Sequence, residues 1–330
     1  MSKKSVSIKD IAKLAGVSIA TVSRVINRNG KVAPETEKKI LKVMEENNYV
    51  PNLFAKGIRT RKSTIIGIIV PDISNEFFSK IAQKVQMLFF EKGYASIICN
   101  TNEDYRIENQ CLDMLQAQQV AGIIHIVSST RKRKKAIPMP TVYIDREPMY
   151  LEGEEVVVVE SDNVEGGYQA TTEMIENGCK NVICISPEHN VSTHKNRYLG
   201  YRKAMDEAGL KSKLIKTGKI SQIDGYEKAK KYIRENKNVD GIFSTTDIIA
   251  IGVMKALKEL KIQVPKEVKV FGYDNSIASD IATTSISTVK QPIDEMVKIA
   301  VLQLEKLMNE VEVINKKIVL PIEIIKRESV

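Results

Sequence analysis

Residues Ile8–Asn27 read IKDIAKLAGVSIATVSRVIN, and their periodicity predicts two short helices broken by a tight turn. Ile8, Ile11, Ala12 and Ala15 recur at helical spacing up to Gly16, a residue that accepts the left-handed backbone a sharp stop requires. Ser18 reads as the N-cap of a second helix whose inward set is Val22, Val25 and Ile26. The opposite face carries Ile19, Ala20, Ser23, Arg24 and Asn27, small or donor-bearing and free of acid. Such a face suits close approach to base edges in a DNA major groove, where an arginine fork matches two guanine acceptors. Two helices this short cannot bury enough surface alone and need a third. Val32-Ala33-Pro34-Glu35 opens it, with Pro34 in the first turn, an apolar side of Ile40, Leu41, Val43 and Met44, and a close near Tyr49. A three-helix, helix-turn-helix DNA-binding domain is therefore expected over residues 1–50.

A small helical cap with a solvated polar face is the competing reading, and charge decides against it. Residues 1–62 hold 14 Lys+Arg against 5 Asp+Glu, a net of +9, whereas the whole chain holds 50 against 41, also +9. Residues 63–330 therefore carry 36 of each sign. All the excess positive charge sits in the first fifth of the chain, the footprint of phosphate neutralisation by one module. Solubility alone needs no such segregation.

At 330 residues the chain exceeds one compact core and implies two or three domains. It has no apolar run long enough to span a membrane, and charged residues interrupt any secretory apolar region at the N-terminus, so a cytoplasmic protein is expected. Cys99, Cys111, Cys179 and Cys184 lack C-x-x-C spacing and read as buried thiols of a reducing compartment. His125, His189 and His194 lack metal spacing: His125 reads as a core residue of an apolar strand, the other two as members of a polar loop. No dinucleotide fingerprint, phosphate-binding loop or nucleophile elbow is present, so neither enzyme chemistry, catalytic residues, metal nor cofactor is expected. The basic run Arg131–Lys135 lies in a charge-balanced half and reads as a solvated loop.

Beyond Pro51, residues 51–62 mix Leu53, Phe54 and Ile58 with four basic residues, and Gly57 weakens any free helix. The segment reads either as a linker or as a hinge helix formed on DNA, with Ile58 wedged into the minor groove. From Ile65 buried strands alternate with amphipathic helices, the pattern of parallel doubly wound sheets covered on both faces. About ten strands are too many for one modest sheet and imply two lobes. Ligands of such sheets sit beyond the carboxyl ends of the strands. Those ends run out into Asp72, Ser74 and Asn75; Asn100, Thr101 and Asn102; Asp145 and Arg146; Asp162; Thr246 and Asp247; Asp274 and Asn275; and Gln291, with Phe77 adding an aromatic plane. Singly, residues such as Ser74 or Asp247 read equally well as helix caps. Together, carboxylates and amides around an aromatic ring form a cleft for a polar, sugar-like ligand.

The motifs Asp10-Ile11-Ala12, Ala15-Gly16-Val17-Ser18, Thr21-Val22-Ser23-Arg24-Val25 and Tyr49-Val50-Pro51-Asn52, with Gly272-Tyr273-Asp274 and Thr288-Val289-Lys290-Gln291-Pro292, resemble the lac repressor (LacI/GalR) family along essentially the whole chain. The second half also resembles periplasmic ribose-type sugar-binding proteins. The resemblance implies an α/β fold: the helix-turn-helix domain, a hinge at 51–62, and a two-lobed periplasmic-binding-protein-like sensor of parallel doubly wound sheets over 63–330. Lobe one is expected at about 63–161 and 292–319, lobe two at about 162–291 and 320–330. It implies that Ile19, Ala20 and Arg24 read bases, that Ser18, Thr21, Ser23 and Asn27 hold phosphates, and that Ala55 and Ile58 enter the minor groove, Ile58 standing where the family usually has leucine. Sugar contacts of the family fall on Asn75, Phe77, Phe78, Asp145, Arg146, Arg197, Asp274 and Gln291. Thr246 stands where an asparagine is expected, and Ile220 where an aromatic is common. The implied protein is a repressor that binds operator DNA as a homodimer under control of a small-molecule effector, a sugar such as ribose or another pentose, acting as inducer. The family's leucine-rich tetramerisation tail has no counterpart before Val330. A regulator answering to a phosphorylated carrier protein or a corepressor is the alternative.

Overall fold

The structure is a computed structural model that describes residues 6–27, 30–47, 49, 63–128, 136–149, 155–188 and 191–330. Residues 51–62, with Ala55 and Ile58, lie outside the described residues, as do Arg131–Lys135 and His189. The chain divides into two compact units, Met1–Thr64 and Ile65–Val330.

In the first unit, helices α1 (Ile8–Ala15), α2 (Ile19–Asn27) and α3 (Pro34–Glu46) enclose a core of Ile11, Ala12, Ala15, Val22, Val25 and Ile40. Ser7 and Asp10 form a reciprocal capping box at the start of α1 that satisfies two otherwise orphaned amides. Gly16 ends α1 at φ 65°, a backbone that would strain any residue with a Cβ. Ser18 then caps α2, its Oγ accepting from the Thr21 amide at 3.1 Å. Tyr49 packs at the edge of this core.

In the second unit, six strands make one sheet in the order β11-β5-β4-β3-β1-β2: β1 (Ile65–Val70), β2 (Ala95–Asn100), β3 (Gly122–His125), β4 (Thr141–Ile144), β5 (Val157–Ser161) and β11 (Lys317–Leu320). A second sheet runs β7-β6-β8-β9, from β6 (Val182–Pro187), β7 (Leu214–Thr217), β8 (Gly241–Ser244) and β9 (Lys269–Phe271). Every pairing in both sheets is parallel; only β10 (Thr288–Lys290) and β12 (Glu323–Ile325) pair antiparallel. Parallel strands need crossover helices. These are α4 (Glu76–Glu91), α5 (Tyr105–Ala117), α6 (Asn163–Glu176), α7 (Ser192–Glu207), α8 (Gln222–Glu235) and α9 (Asp247–Glu259), with α10 (Ile277–Asp280) a single turn. The helix α11 (Ile293–Met308), absent from the sequence reading, returns to the first sheet and buries Met296, Val297, Ala300, Val301 and Leu304 in its core.

The chain passes between the two sheets near residues 161, 291 and 320, and these passages are tied together. Ser161 Oγ donates to Gln291 Oε1 at 2.6 Å, and the Asp162 amide donates to the Leu320 carbonyl at 2.8 Å. Two further bonds bridge the lobes: the Glu147 amide donates to Ser192 Oγ at 2.9 Å, and the Ile277 amide donates to Glu76 Oε2 at 2.9 Å. The two lobes are thus joined at three crossings and by two bonds that span the gap between them.

His125 is fully buried as expected for a strand residue, but it has a charged partner, with Nε2 3.2 Å from Glu108 Oε1. His194 departs from the loop reading: α7 begins three residues before the expected Lys195 and places this histidine, buried, in its first turn. The caps fall one residue away from Ser74 and Asp247. Asn75 caps α4, since Ser74 turns back to bond Asp72 at 2.7 Å, and Thr246 caps α9, since Asp247 is drawn inward by Thr288 at 2.7 Å. No helix among the described residues is long and apolar enough to cross a membrane. The four cysteines are free, and three of them are buried.

Candidate functional site: a nucleic-acid face and an effector cleft

The face of α2 opposite Val22 and Val25 is open to solvent. Ser18, Ala20 and Arg24 are exposed, Ile19 is 38% exposed, and Thr21 and Ser23 are half-buried. The Ser18 and Thr21 hydroxyls lie 2.9 Å apart at the helix start, where unpaired amides favour an anion. Asn27 is the last residue of α2. A Cβ at Gly30, whose φ is 103°, would lie 3.6 Å from Arg24 Cδ, so this glycine borders the arginine stem; sequence reasoning had no signal for it. Chemically the face offers one cationic fork, hydroxyls and small side chains, with no acid among them.

The second unit brings most of the expected ligand residues together between its sheets. Asn75, Phe77, Phe78, Asp145, Arg146, Arg197, Thr246 and Asp274 line one inner cavity, together with Thr193, His194 and Ile220. Its volume is about 10 Å³, room for a single water, which fits the cross-lobe bonds above. On one side it opens past Asn75, Phe78 and Ile220 into a vestibule of about 590 Å³, which Glu103, Arg106 and Lys219 also line. Gln291 is the exception. It does not line the cavity but reaches it through Asp274, donating from Nε2 to Oδ1 at 2.8 Å.

Why these residues converge follows from the chain. Asp145 and Arg146 leave the end of β4 through a left-handed residue, Asp145 at φ 68°, and Asp274 leaves β9 at φ 107°. Among the described residues, five of the eight non-glycine residues with positive φ (Asn102, Glu103, Asp145, Asp274 and Asn275) follow strand ends of this cleft, and the other three follow helix ends. Backbone strain of this kind, about 1–3 kcal/mol per residue, persists where surrounding structure holds it and gathers at functional sites.

Two buried arginines dominate the electrostatics. Arg146 donates to Glu103 with both terminal nitrogens, at 2.8 and 2.9 Å, and to the Val127 carbonyl at 2.9 Å, with its guanidinium 4.9 Å from the Phe78 ring centre. Arg197 donates to Asn163 and to the Thr245 carbonyl, lies 3.4 Å from Asp274, and stacks 3.6 Å over Tyr273. Burial pushes the Asp145 carboxyl above its ordinary range, against the pull of Arg197 and Arg146. Burial likewise raises Asp274, to about 7, although Arg197 opposes it. Asp145 Oδ1 and Arg146 Nε are buried and make no hydrogen bond among the described residues. The site therefore holds an acceptor and a donor on adjacent residues, beside two aromatic rings set edge to face at 5.5 Å. Glu103, Tyr273, Thr193 and His194 were not singled out from the sequence. Glu103 was within reach, because it follows the polar end Asn100-Thr101-Asn102 by one residue.

Two closed lobes around a polar cleft, in a chain that also carries a basic helix-turn-helix, define a transcriptional regulator with its own effector-binding domain. The comparisons name the family. Residues 7–52 match the bacterial regulatory proteins of the lacI family, and residues 171–330 match the periplasmic binding protein-like domain. The chain is 36% identical to the HTH-type transcriptional regulator RegA of Clostridium saccharobutylicum over 98% of each sequence. It is 30% identical to the ribose operon repressor of Halalkalibacterium halodurans over 98% of this chain and 96% of that one. It belongs to the lac repressor family of bacterial transcriptional regulators. Among solved structures, the operator-bound lac repressor dimer superposes with a TM-score of 0.86 over 99% of both chains at 21% identity, which establishes the fold. A periplasmic binding protein/LacI regulator from Alkaliphilus metalliredigens QYMF, complexed with D-xylulofuranose, matches at 30% identity with a TM-score of 0.73, over 81% of this chain and 99% of that one.

Proposed function

We propose that this regulator is a cytoplasmic homodimeric repressor released from its operator by a sugar, with ribose or another pentose as the leading class. The observation that carries the ligand assignment is the pair Asp145 Oδ1 and Arg146 Nε: a buried acceptor beside a buried donor, neither with a hydrogen-bond partner among the described residues. Neighbouring hydroxyls of a sugar offer one proton to the first and a lone pair to the second, and leaving either unmet costs about 1–3 kcal/mol. Phe77 and Phe78 supply the apolar wall that a sugar ring face needs. The ribose operon repressor among the relatives and the D-xylulofuranose complex among the solved structures point to the same class.

On the DNA side, Ile19, Ala20 and Arg24 read base edges, while Ser18, Thr21, Ser23 and Asn27 hold phosphates. Two copies place their recognition helices in adjacent major grooves, and Ala55 and Ile58 of the hinge enter the minor groove between them. The test is a sugar panel applied to an operator complex of the full-length protein, scored by fluorescence anisotropy. Release by a pentose supports the reading. Tighter binding with a small molecule replaces induction by corepression, and response only to a phosphorylated carrier protein replaces the sugar.

A further inference from the structure

We propose that Glu103 sets the charge selectivity of the effector cleft: by pairing with both terminal nitrogens of Arg146 it takes the end-on fork and balances the positive charge an anionic ligand would seek, so the effector is an uncharged polyhydroxyl compound rather than its phosphate. This rests on the sugar reading above and narrows it. A buried guanidinium at the end of a ligand cavity is ordinarily a receptor for phosphate or carboxylate, because its planar donors match two oxygens of either group. Here the end-on pair of donors is already taken. Glu103 Oε2 and Oε1 accept from Arg146 Nη1 and Nη2 at 2.8 and 2.9 Å, and Nη1 also serves the Val127 carbonyl. Of the five guanidinium N–H groups, Nε and the second N–H of Nη2 are left for a ligand, on an arginine whose charge Glu103 already balances, and Nε stands 3.9 Å from Asp145 Oδ2.

The second arginine is occupied as well: Asn163, the Thr245 carbonyl, Asp274 and the Tyr273 ring surround Arg197. Arg146 and Arg197 thus face three carboxylates, Glu103, Asp145 and Asp274. Any ligand phosphate would have to displace one of these or be desolvated beside them, at a cost of several kcal/mol for an uncompensated buried charge.

Glu103 lines the vestibule and not the inner cavity, so it acts on the ligand through Arg146 and is a positioning residue. Its backbone is held for this purpose. Asn102 and Glu103 follow one another at φ 51° and 57°, and the Glu103 amide is fixed to the Pro71 carbonyl at 3.0 Å. Two successive left-handed non-glycine residues are a costly way to turn a chain, and here they aim one carboxylate at Arg146, which leaves another strand of the same sheet.

The experiment compares the full-length protein with Glu103→Gln by thermal shift and calorimetric titration. The probes are D-ribose, D-xylose and D-glucose, each beside its terminal phosphomonoester at matched ionic strength. The wild type is expected to bind a free sugar and to discriminate against the corresponding phosphate by at least about tenfold. Glu103→Gln is expected to narrow or invert that ratio, because one negative charge is gone and that of Arg146 is no longer balanced. A purely structural role for Glu103 would lower affinity for both members of each pair equally. Preference of the wild type for a phosphate, or an unchanged ratio in Glu103→Gln, overturns the proposal while leaving the sugar cleft standing. Binding of neither member of any pair overturns the sugar reading itself and this inference with it. If Glu103→Gln does not fold, Glu103→Asp, which keeps the charge but shortens its reach to Arg146, is read by the same change of ratio.

Discussion

Arg24 stands exposed on α2 with its stem along Gly30, and among the described residues it is the only charged side chain on the recognition face. A bidentate arginine is worth about 1–3 kcal/mol of discrimination against the wrong base. Arg24→Ala should therefore lose that much preference for the operator over a scrambled duplex, while salt-sensitive binding to both persists through the remaining lysines and arginines. Anisotropy titrations at two salt concentrations measure it, and equal loss on every sequence would remove base reading from Arg24. Asp274 carries a different residue-scale prediction. Its folded pKa, about 7, lies above the unfolded value of 3.8, so the folded state binds the extra proton between the two. The stability this gives is present in full below the unfolded value and is lost as pH rises through about 7. Burial drives the shift, with Asp247 and Asp145 adding to it and Arg197 and Gln291 opposing it. Melting curves of ligand-free protein should show the wild type falling relative to Asp274→Asn across this window. A constant difference in Tm from acid to neutral pH would refute the assignment.

At the scale of elements, the helix-turn-helix was legible because its cues are local: Gly16, Ser18, Pro34 and the spacing of Ile11, Ala15, Val22 and Val25. The strands β1 to β9 were legible for the same reason, as apolar runs closed by polar residues. What was not legible depends on partners distant in sequence. Nothing near Glu103 announces Arg146, 43 residues on. Gln291 was singled out by its position in a motif, with no sign that Ser161, 130 residues earlier, holds its carbonyl at a crossing between the lobes. His194 looked like a loop residue because Val191, which opens α7 without a side-chain cap, gives no start signal. The first unit is small enough that one core residue should decide its folding. Ile40 is fully buried where α3 meets the other two helices. Ile40→Ala removes about 2–5 kcal/mol, comparable to the whole stability of a three-helix domain of this size. Calorimetry of the full chain should show the first unit melting early or not at all while the transition of Ile65–Val330 stays in place. A single transition shifted as a whole would mean that the units fold together.

Across the whole molecule, a ligand can govern DNA binding only if it binds one arrangement of the lobes better than another. Two sets of bonds join the lobes of the second unit: three crossings tied at Ser161–Gln291 and Asp162–Leu320 form the lobe hinge, and the contacts Glu147–Ser192 and Glu76–Ile277 span the gap. Gln291 joins hinge to cleft, since the same side chain bonds Ser161 and Asp274. A ligand drawn to Asp145 and Asp274 therefore acts on opposite walls and on the hinge at once. If closure transmits the signal, the flanking bonds belong to its energetics, although neither touches the ligand cavity. Ser192→Ala deletes the acceptor of the Glu147 amide, at about 0.5–1.5 kcal/mol, and should raise the effector concentration for half-maximal response about two- to tenfold. Under induction, operator affinity without effector should not fall, because the open arrangement that holds the operator gains from the deletion; under corepression it should not rise. The shift in midpoint keeps its direction in either case. An unchanged midpoint for Ser192→Ala, measured by effector titration of the operator complex, would show that lobe closure is not the step that carries the signal.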